Sequence, residues 1–150
     1  MSATAIVNHN RQGVLMDSLT IFYKNEDNIT QLLNILNSNC KVSLRIVDWF
    51  VTNFSKKNNI SYMLKNSNGI DRQFIVYIDY KLQLKGYSKK NFDPFCRRDR
   101  IRFYYSDDKS ITTTVGQLNF FKWAISNNII NYIKKNLKPI ESDMNNSYKA

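Results

Sequence analysis

The stretch from Phe74 to Leu84 constrains the fold most, because side chains of opposite character alternate along it with a period of two. In an extended chain, one face would carry the apolar residues Phe74, Val76, Ile78, Tyr80, Leu82 and Leu84. A period of two predicts a half-buried strand, here from about Gln73 to Lys85. We expect this strand to rest one face on a core and to present Lys81 and Lys85 to water.

Other short strands are predicted on either side of this one. Residues 60–65 read as its hairpin partner, joined through the turn signal Asn66–Gly69. From residue 98 to residue 106, Ile101, Phe103 and Tyr105 alternate with Arg100, Arg102 and Tyr104. Residues 111–113 form a short return strand, and Leu19, Ile21 and Tyr23 indicate another strand over 14–23.

Three segments have the three-and-four spacing of helices instead. The first starts at Asp27 or Asn28 and ends near residue 37, and the second covers about 41–57. The third follows the capping pattern Thr114 to Gln117 and continues to about residue 138. We therefore predict a single α+β domain over residues 14–138, with an antiparallel sheet of about four strands packed against about three helices. Residues 1–13 are expected to be a flexible arm and residues 139–150 a disordered tail.

Composition narrows the class of partner. The 150 residues carry a formal net charge of +10, which attracts polyanions. No apolar run approaches the roughly 20 residues that span a bilayer, and the N-terminus lacks a secretory pattern. We expect no membrane partner and a protein that is not secreted. His9, Cys40 and Cys96 are too few for a zinc cage, so we expect no metal and no cofactor.

The positive charge is concentrated between residues 81 and 102, where basic and aromatic side chains are interleaved. Lysine and arginine neutralise phosphates, while exposed aromatic rings stack on bases. Two adjacent antiparallel strands would bring these side chains to one sheet face, with the loop between the strands at its rim. The candidate nucleic-acid-binding residues are Lys81, Lys85, Lys89, Lys90, Arg97, Arg98, Arg100, Arg102, Tyr77 and Tyr104. Alternatively, the charges are a solvated strand face and the tyrosines are structural.

The last predicted helix is apolar on more than one side. Phe120, Trp123 and Ile130 lie off its main buried stripe. Either the helix is deeply wrapped within its own domain, or these three residues form the interface of a homodimer.

A metal-dependent nuclease is a further alternative. Asp79 and Lys81 on a strand, with Asp71 upstream, resemble the acid-x-lysine half of such sites, in which carboxylates hold Mg²⁺. Asp79 fits an ion pair with Lys81 or Arg102 equally well. We therefore expect no enzymatic activity and no small-molecule substrate.

Two segments resemble a small protein shared among giant nucleocytoplasmic large DNA viruses. They are L-R-I-V-D-W-F-V-T-N-F from Leu44 to Phe54, and D-Y-K-L-Q-L-K-G-Y-S-K-K-N-F-D-P-F-C-R-R from Asp79 to Arg98. The resemblance covers about residues 42–105 and carries over no activity. It implies a setting, the viral factory in the host cytoplasm or the virion, with the nucleus also open.

These observations predict a non-catalytic nucleic-acid-binding protein of a large DNA virus, with DNA favoured over RNA. The alternative is a protein–protein adaptor or structural component of the virion or of the viral transcription machinery. An adaptor would bind nucleic acid only through its general positive charge.

Overall fold

The computed structural model describes the backbone of residues 3–66, 68–96 and 98–149, and the side chains of residues 13–66, 68–96 and 98–148. The helices enclose one core, and two short hairpins lie between helices along the chain. The predicted α+β class and single domain are therefore confirmed. In chain order the elements are α1 (Ala3–Lys24), α2 (Glu26–Leu36), α3 (Leu44–Trp49), a π-helical segment (Phe50–Phe54), α4 (Ser55–Lys57), β1 (Ser61–Lys65), β2 (Asp71–Ile75), α5 (Val76–Phe92), β3 (Ile101–Tyr104), β4 (Ser110–Thr113), α6 (Val115–Ser126), α7 (Ile129–Lys135) and α8 (Leu137–Lys149).

The central helix is α6, which contacts α1, α2, α5 and α7. Its start follows the predicted cap, because the Thr114 hydroxyl accepts a hydrogen bond from the Gln117 backbone N–H over 3.1 Å. The helix is buried on several sides, with Leu118, Phe120 and Phe121 all inaccessible to solvent. Asn128, at φ 62°, then turns the chain into α7, so the single long helix predicted here is interrupted.

The predicted four-stranded sheet is wrong. The strands form two separate antiparallel pairs, β1 with β2 and β3 with β4. The predicted Asn66–Gly69 turn is correct, since Lys65 pairs with Asp71 across it. The predicted return strand after β3 is also present, since Tyr104 pairs with Ser110. The long strand expected to join these hairpins is missing, because the extended backbone ends at Ile75.

Residues 76–92, predicted as a strand and a loop, are the helix α5, which is kinked at Ser88 (φ 72°, ψ 163°). The alternating pattern was therefore misleading. Val76 is fully buried as predicted, but Ile78 and Leu82 are 54% and 61% exposed. A helix turns about 100° per residue, so the apolar residues two apart spread around its circumference. Packing against α6 overrides the alternation, since Tyr80 and Phe92 lie with Trp123 in one aromatic cluster.

Both ends of the chain also differ from prediction. Residues 14–23, predicted as a strand, belong to α1, where Leu19 and Tyr23, one helical turn apart, are buried. Of the predicted arm 1–13, residues 1 and 2 lie outside the described part, and from Ala3 the backbone is helical. The predicted disordered tail over 139–150 is instead helical through Lys149. It is held by the buried side chains of Ile140 and Met144.

Candidate nucleic-acid interface

The strand β3 presents two of the predicted binding residues to solvent. Phe103 points into the core, while Arg102 and Tyr104 on either side of it are exposed. Arg102 is steadied by a hydrogen bond from its Nη1 to Ser110 Oγ on β4 over 3.1 Å. Arg100, at the entrance to the strand, is also exposed. The predicted alternation is therefore correct on this hairpin.

The loop before β3 is tied to the end of α5 and the start of α6. Asp93 ends α5 and its Oδ1 accepts the Phe95 backbone N–H over 2.8 Å. The Pro94 carbonyl accepts the Gln117 side-chain amide over 3.4 Å. Gly116 allows the close approach, because a Cβ there would lie 2.7 Å from the Lys90 carbonyl oxygen. These contacts hold the start of the loop between α5 and β3 in place.

A cleft of about 310 Å³ lies between this loop and α5. Its walls include Lys90, Asn91, Arg98 and Asp99. Lys90 Nζ is 2.9 Å from Asp99 Oδ2, an ion pair whose partners are both well exposed and which water screens. Asn91 Oδ1 is buried and, among the described residues, has no hydrogen-bond partner. A ligand entering the cleft would meet the cations of Lys90 and Arg98 and the carboxylate of Asp99.

A second cleft, of about 420 Å³, is lined by the same loop at Pro94, Phe95 and Cys96. Arg100 lines it together with Cys96, Thr112 and the start of α6 at Thr114. Arg98 and Arg100 thus line two different clefts beside one loop. We call Lys90, Arg98, Arg100, Arg102 and Tyr104 together the loop–hairpin surface.

The remaining predicted binding residues lie elsewhere. Tyr77, Lys81 and Lys85 are on α5, so the single basic sheet face predicted from the sequence does not exist. Lys89 is 80% exposed, and its Nζ lies 3.9 Å from Asp93 Oδ2. Arg97 lies outside the described residues.

The predicted dimer contacts are core residues. Phe120, Trp123 and Ile130 are 0%, 6% and 1% exposed. Phe120 and Trp123 pack against Phe92 of α5 and Ile130 belongs to the same core, so the deeply wrapped alternative is the correct one. They are not available to a second subunit.

The nuclease alternative required Asp79 and Lys81 on one strand. They lie on a helix instead, where residues two apart are rotated by about 200° around the axis and so point to nearly opposite sides. Asp79 accepts the Trp123 indole N–H, and Asp71 lies on β2, paired with Lys65. Within the described residues, no three His, Cys, Asp or Glu side chains group as metal ligands, and both cysteines are free thiols.

Sequence reasoning missed Asn91 and the exposure of Ile78 and Leu82. The first carries no sequence signal, because its unpaired oxygen follows from how α5 meets the loop. The exposure of Ile78 and Leu82 did have a sequence signal, because residues 78, 82 and 85 have helical spacing as well as a strand pattern.

Fold and site define a mostly helical α+β domain with a basic, aromatic loop–hairpin surface. The chain belongs to a family described as "Family of unknown function (DUF7197)", whose profile it matches over residues 4–150. It is 46% identical over 126 residues to an uncharacterised protein of Acanthamoeba polyphaga mimivirus. This match covers 81% of the chain and 48% of the relative, so the chain spans about half the relative's length. The resemblance to a giant-virus protein is confirmed.

No solved structure matches this fold. Among the described residues, none of the helices has the length and hydropathy required to cross a membrane.

Proposed function

We propose that the protein binds nucleic acid without cleaving it, through the loop–hairpin surface. One observation carries the proposal: Arg102 and Tyr104 lie exposed on the same face of β3, on either side of buried Phe103, and Arg100, which is also exposed, comes directly before the strand. Residues two apart on a strand are about 6.6 Å apart, so β3 places a cation and an aromatic ring side by side, and such a pair can contact a phosphate and a neighbouring base.

The aromatic member of the pair favours a single strand. Tyr104 is 58% exposed at the end of β3, beyond the two arginines. An exposed ring offers a stacking platform for an unpaired base, which a base in a duplex cannot reach. The proposed ligand is therefore single-stranded, with DNA preferred because the mimivirus relative belongs to a large DNA virus. The proposed setting is the viral factory or the virion.

Salt-dependent binding to a fluorescent oligodeoxythymidylate tests the proposal. Four contacts, from Lys90, Arg98, Arg100 and Arg102, give a log–log slope of about −3 on a single strand. Arg100→Ala with Arg102→Ala should reduce its magnitude by about 1.4. Tyr104→Ala should weaken binding by about 1–3 kcal/mol with the slope unchanged.

The matched control is Lys134→Ala with Lys135→Ala. It removes the same charge from exposed positions on α7. If this control reduces slope and affinity as much as the arginine pair does, binding reflects only the net charge and the proposal fails.

The adaptor role is the second candidate, and one observation favours it. The side of α5 that faces away from α6 carries an apolar groove, which the loop–hairpin surface does not use.

A further inference from the structure

The outward face of α5 carries exposed apolar side chains. Ile78 and Leu82, one helical turn apart, are 54% and 61% exposed. With Tyr77 and Leu84 they line a groove of about 400 Å³. Singly exposed apolar residues are ordinary, but two of them one turn apart beside a groove are typical of an interaction site.

The opposite face of α5 explains why this groove is not part of the core. Val76 is fully buried, Tyr80 packs on Trp123, and Asp79 accepts the Trp123 indole N–H. These contacts fix the rotation of α5 about its axis. Ile78 and Leu82 are therefore held towards solvent and cannot turn inward without breaking them.

The groove also carries positive charge. Lys81 and Lys85 line it, and at about 100° per residue they lie around the helix between Ile78 and Tyr77. Lys56 Nζ lies 5.3 Å above the ring of Tyr77. Asp79 is the single acid between Val76 and Phe92, and it is engaged on the opposite face. Among the described residues, none of the three lysines forms a salt bridge. A partner with flanking carboxylates would supply the missing charges.

We propose that this groove docks an acidic amphipathic helix of a partner protein. Apolar residues at three-and-four spacing would fill the groove over Ile78 and Leu82, and carboxylates beside them would meet Lys81 and Lys85. From Val76 to Tyr87 the helix is about 18 Å long, which matches about three turns of a partner helix. The inference goes beyond the proposed nucleic-acid binding and uses a different surface.

Charge complementarity selects this occupant over a second copy of the chain. A second copy would bring the same groove lysines and a net charge of +10 to the contact. Like charges placed against each other disfavour association. A phosphate backbone would pair with the lysines but would leave the apolar side chains of Ile78 and Leu82 in water.

Selection from displayed helical peptides tests the inference with defined probes. One library has Glu at the positions flanking a randomised apolar stripe, and a matched library has Lys there. Wild type should enrich the Glu library and not the Lys library. Affinity for a selected peptide should fall at least about tenfold in Ile78→Ser with Leu82→Ser, because two buried side chains lose their contacts.

The control is Val14→Ser with Ile21→Ser on α1. These residues are 68% and 69% exposed, so the pair removes comparable exposed apolar surface elsewhere. It should leave peptide affinity unchanged. Lys81→Glu with Lys85→Glu should reverse the preference towards the Lys library, which a merely destabilised domain would not do. The two serine variants should bind the oligodeoxythymidylate within about threefold of wild type. The charge-reversed variant should bind it more weakly, because its net charge is lower.

Several results would overturn the proposal. They are equal enrichment of both libraries, peptide binding that survives Ile78→Ser with Leu82→Ser, and self-association of wild type that the same pair abolishes. Binding to phosphatidylserine vesicles that the pair abolishes, without any selected peptide, would assign the groove to a lipid surface instead.

Discussion

The indole N–H of Trp123 donates a hydrogen bond to Oδ2 of Asp79 over 2.6 Å, which joins the central helix α6 to α5. Trp123 is buried, and Asp79 is half-buried beside it. The carboxylate that the sequence offered as a metal ligand therefore acts as a structural acceptor. The bond also fixes which face of α5 meets the core.

Asp79→Ala should lower the free energy of unfolding by about 1–3 kcal/mol, because the buried indole N–H loses a charged acceptor. A double-mutant cycle with Trp123→Phe, followed by urea unfolding, should give a coupling energy of about 1–3 kcal/mol. Asp71→Ala, at an exposed position on β2, is the control and should be nearly neutral. An unchanged urea midpoint for Asp79→Ala would contradict the structural role. Magnesium-dependent cleavage that only Asp79→Ala abolishes would instead revive the nuclease alternative.

Gly116→Ala should destabilise the protein by about 1–3 kcal/mol, because the added methyl group meets backbone and not a movable side chain. The Cβ would lie 2.7 Å from the Lys90 carbonyl oxygen and 2.9 Å from that of Asp93. Gly86→Ala is the matched control, since nothing lies within 4 Å of its Cβ and alanine favours the helix by up to about 1 kcal/mol. The structure would be wrong at the α5–α6 contact if both variants melted alike. Thermal unfolding of the two variants decides this.

The hairpins and the start of α6 were predictable because they depend on neighbours in sequence. Asn66 to Gly69 form a turn through local backbone preferences, and the cap at Thr114 needs only Gln117 three residues later. The exposed side of β3 followed from alternation alone. Predictions of this kind use no information about what packs against the element.

The conformation of residues 76–92 was not predictable in the same way. The pattern from Phe74 to Leu84 fits a strand better than a helix, and the helix leaves Ile78 and Leu82 in water. What decides the matter is the aromatic cluster with Phe92 and Trp123, whose members are far apart in sequence. The candidate site changed with it, since three predicted binding residues moved from a sheet face to a helix.

Asp48 should make the stability of the protein depend on pH. Burial, and then the nearby charge of Asp93, raise the pKa of the Asp48 carboxyl to about 6. Unfolded, this group titrates near its ordinary value of about 4, so between these two pH values the folded state binds more protons. The free energy of unfolding should therefore fall as the pH rises from about 4 to about 6, and this contribution should change no further above that.

Asp48→Asn should remove this dependence. The variant should be more stable than wild type at neutral pH by on the order of 1–2 kcal/mol, allowing for partial solvent exposure, and no more stable near pH 4. Urea unfolding across this range measures the difference. Asp107→Asn, at an exposed position, should track wild type throughout. A constant gap between Asp48→Asn and wild type at every pH would rule out titration of this group as the cause.

The terminal helix α8 should contribute to the stability of the whole domain. Ile140 is fully buried, and Asp143 accepts hydrogen bonds from the Trp49 indole and from Lys57. The hydrogen bond from Lys57 holds the pKa of the Asp143 carboxyl below its ordinary value. Ile140→Ala should therefore lower the free energy of unfolding by about 2–4 kcal/mol, because it leaves a cavity beneath the helix.

Glu141→Ala, the next residue along and exposed, should change the free energy of unfolding by no more than about 0.5 kcal/mol. The pair separates a packed helix from the disordered tail that the sequence predicted, because truncating a side chain in a disordered segment costs nothing. Amide exchange gives an independent measurement. The N–H groups around Ile140 should be protected in wild type and should exchange faster in Ile140→Ala. Equal, fast exchange in the two proteins would instead support the disordered tail predicted from the sequence.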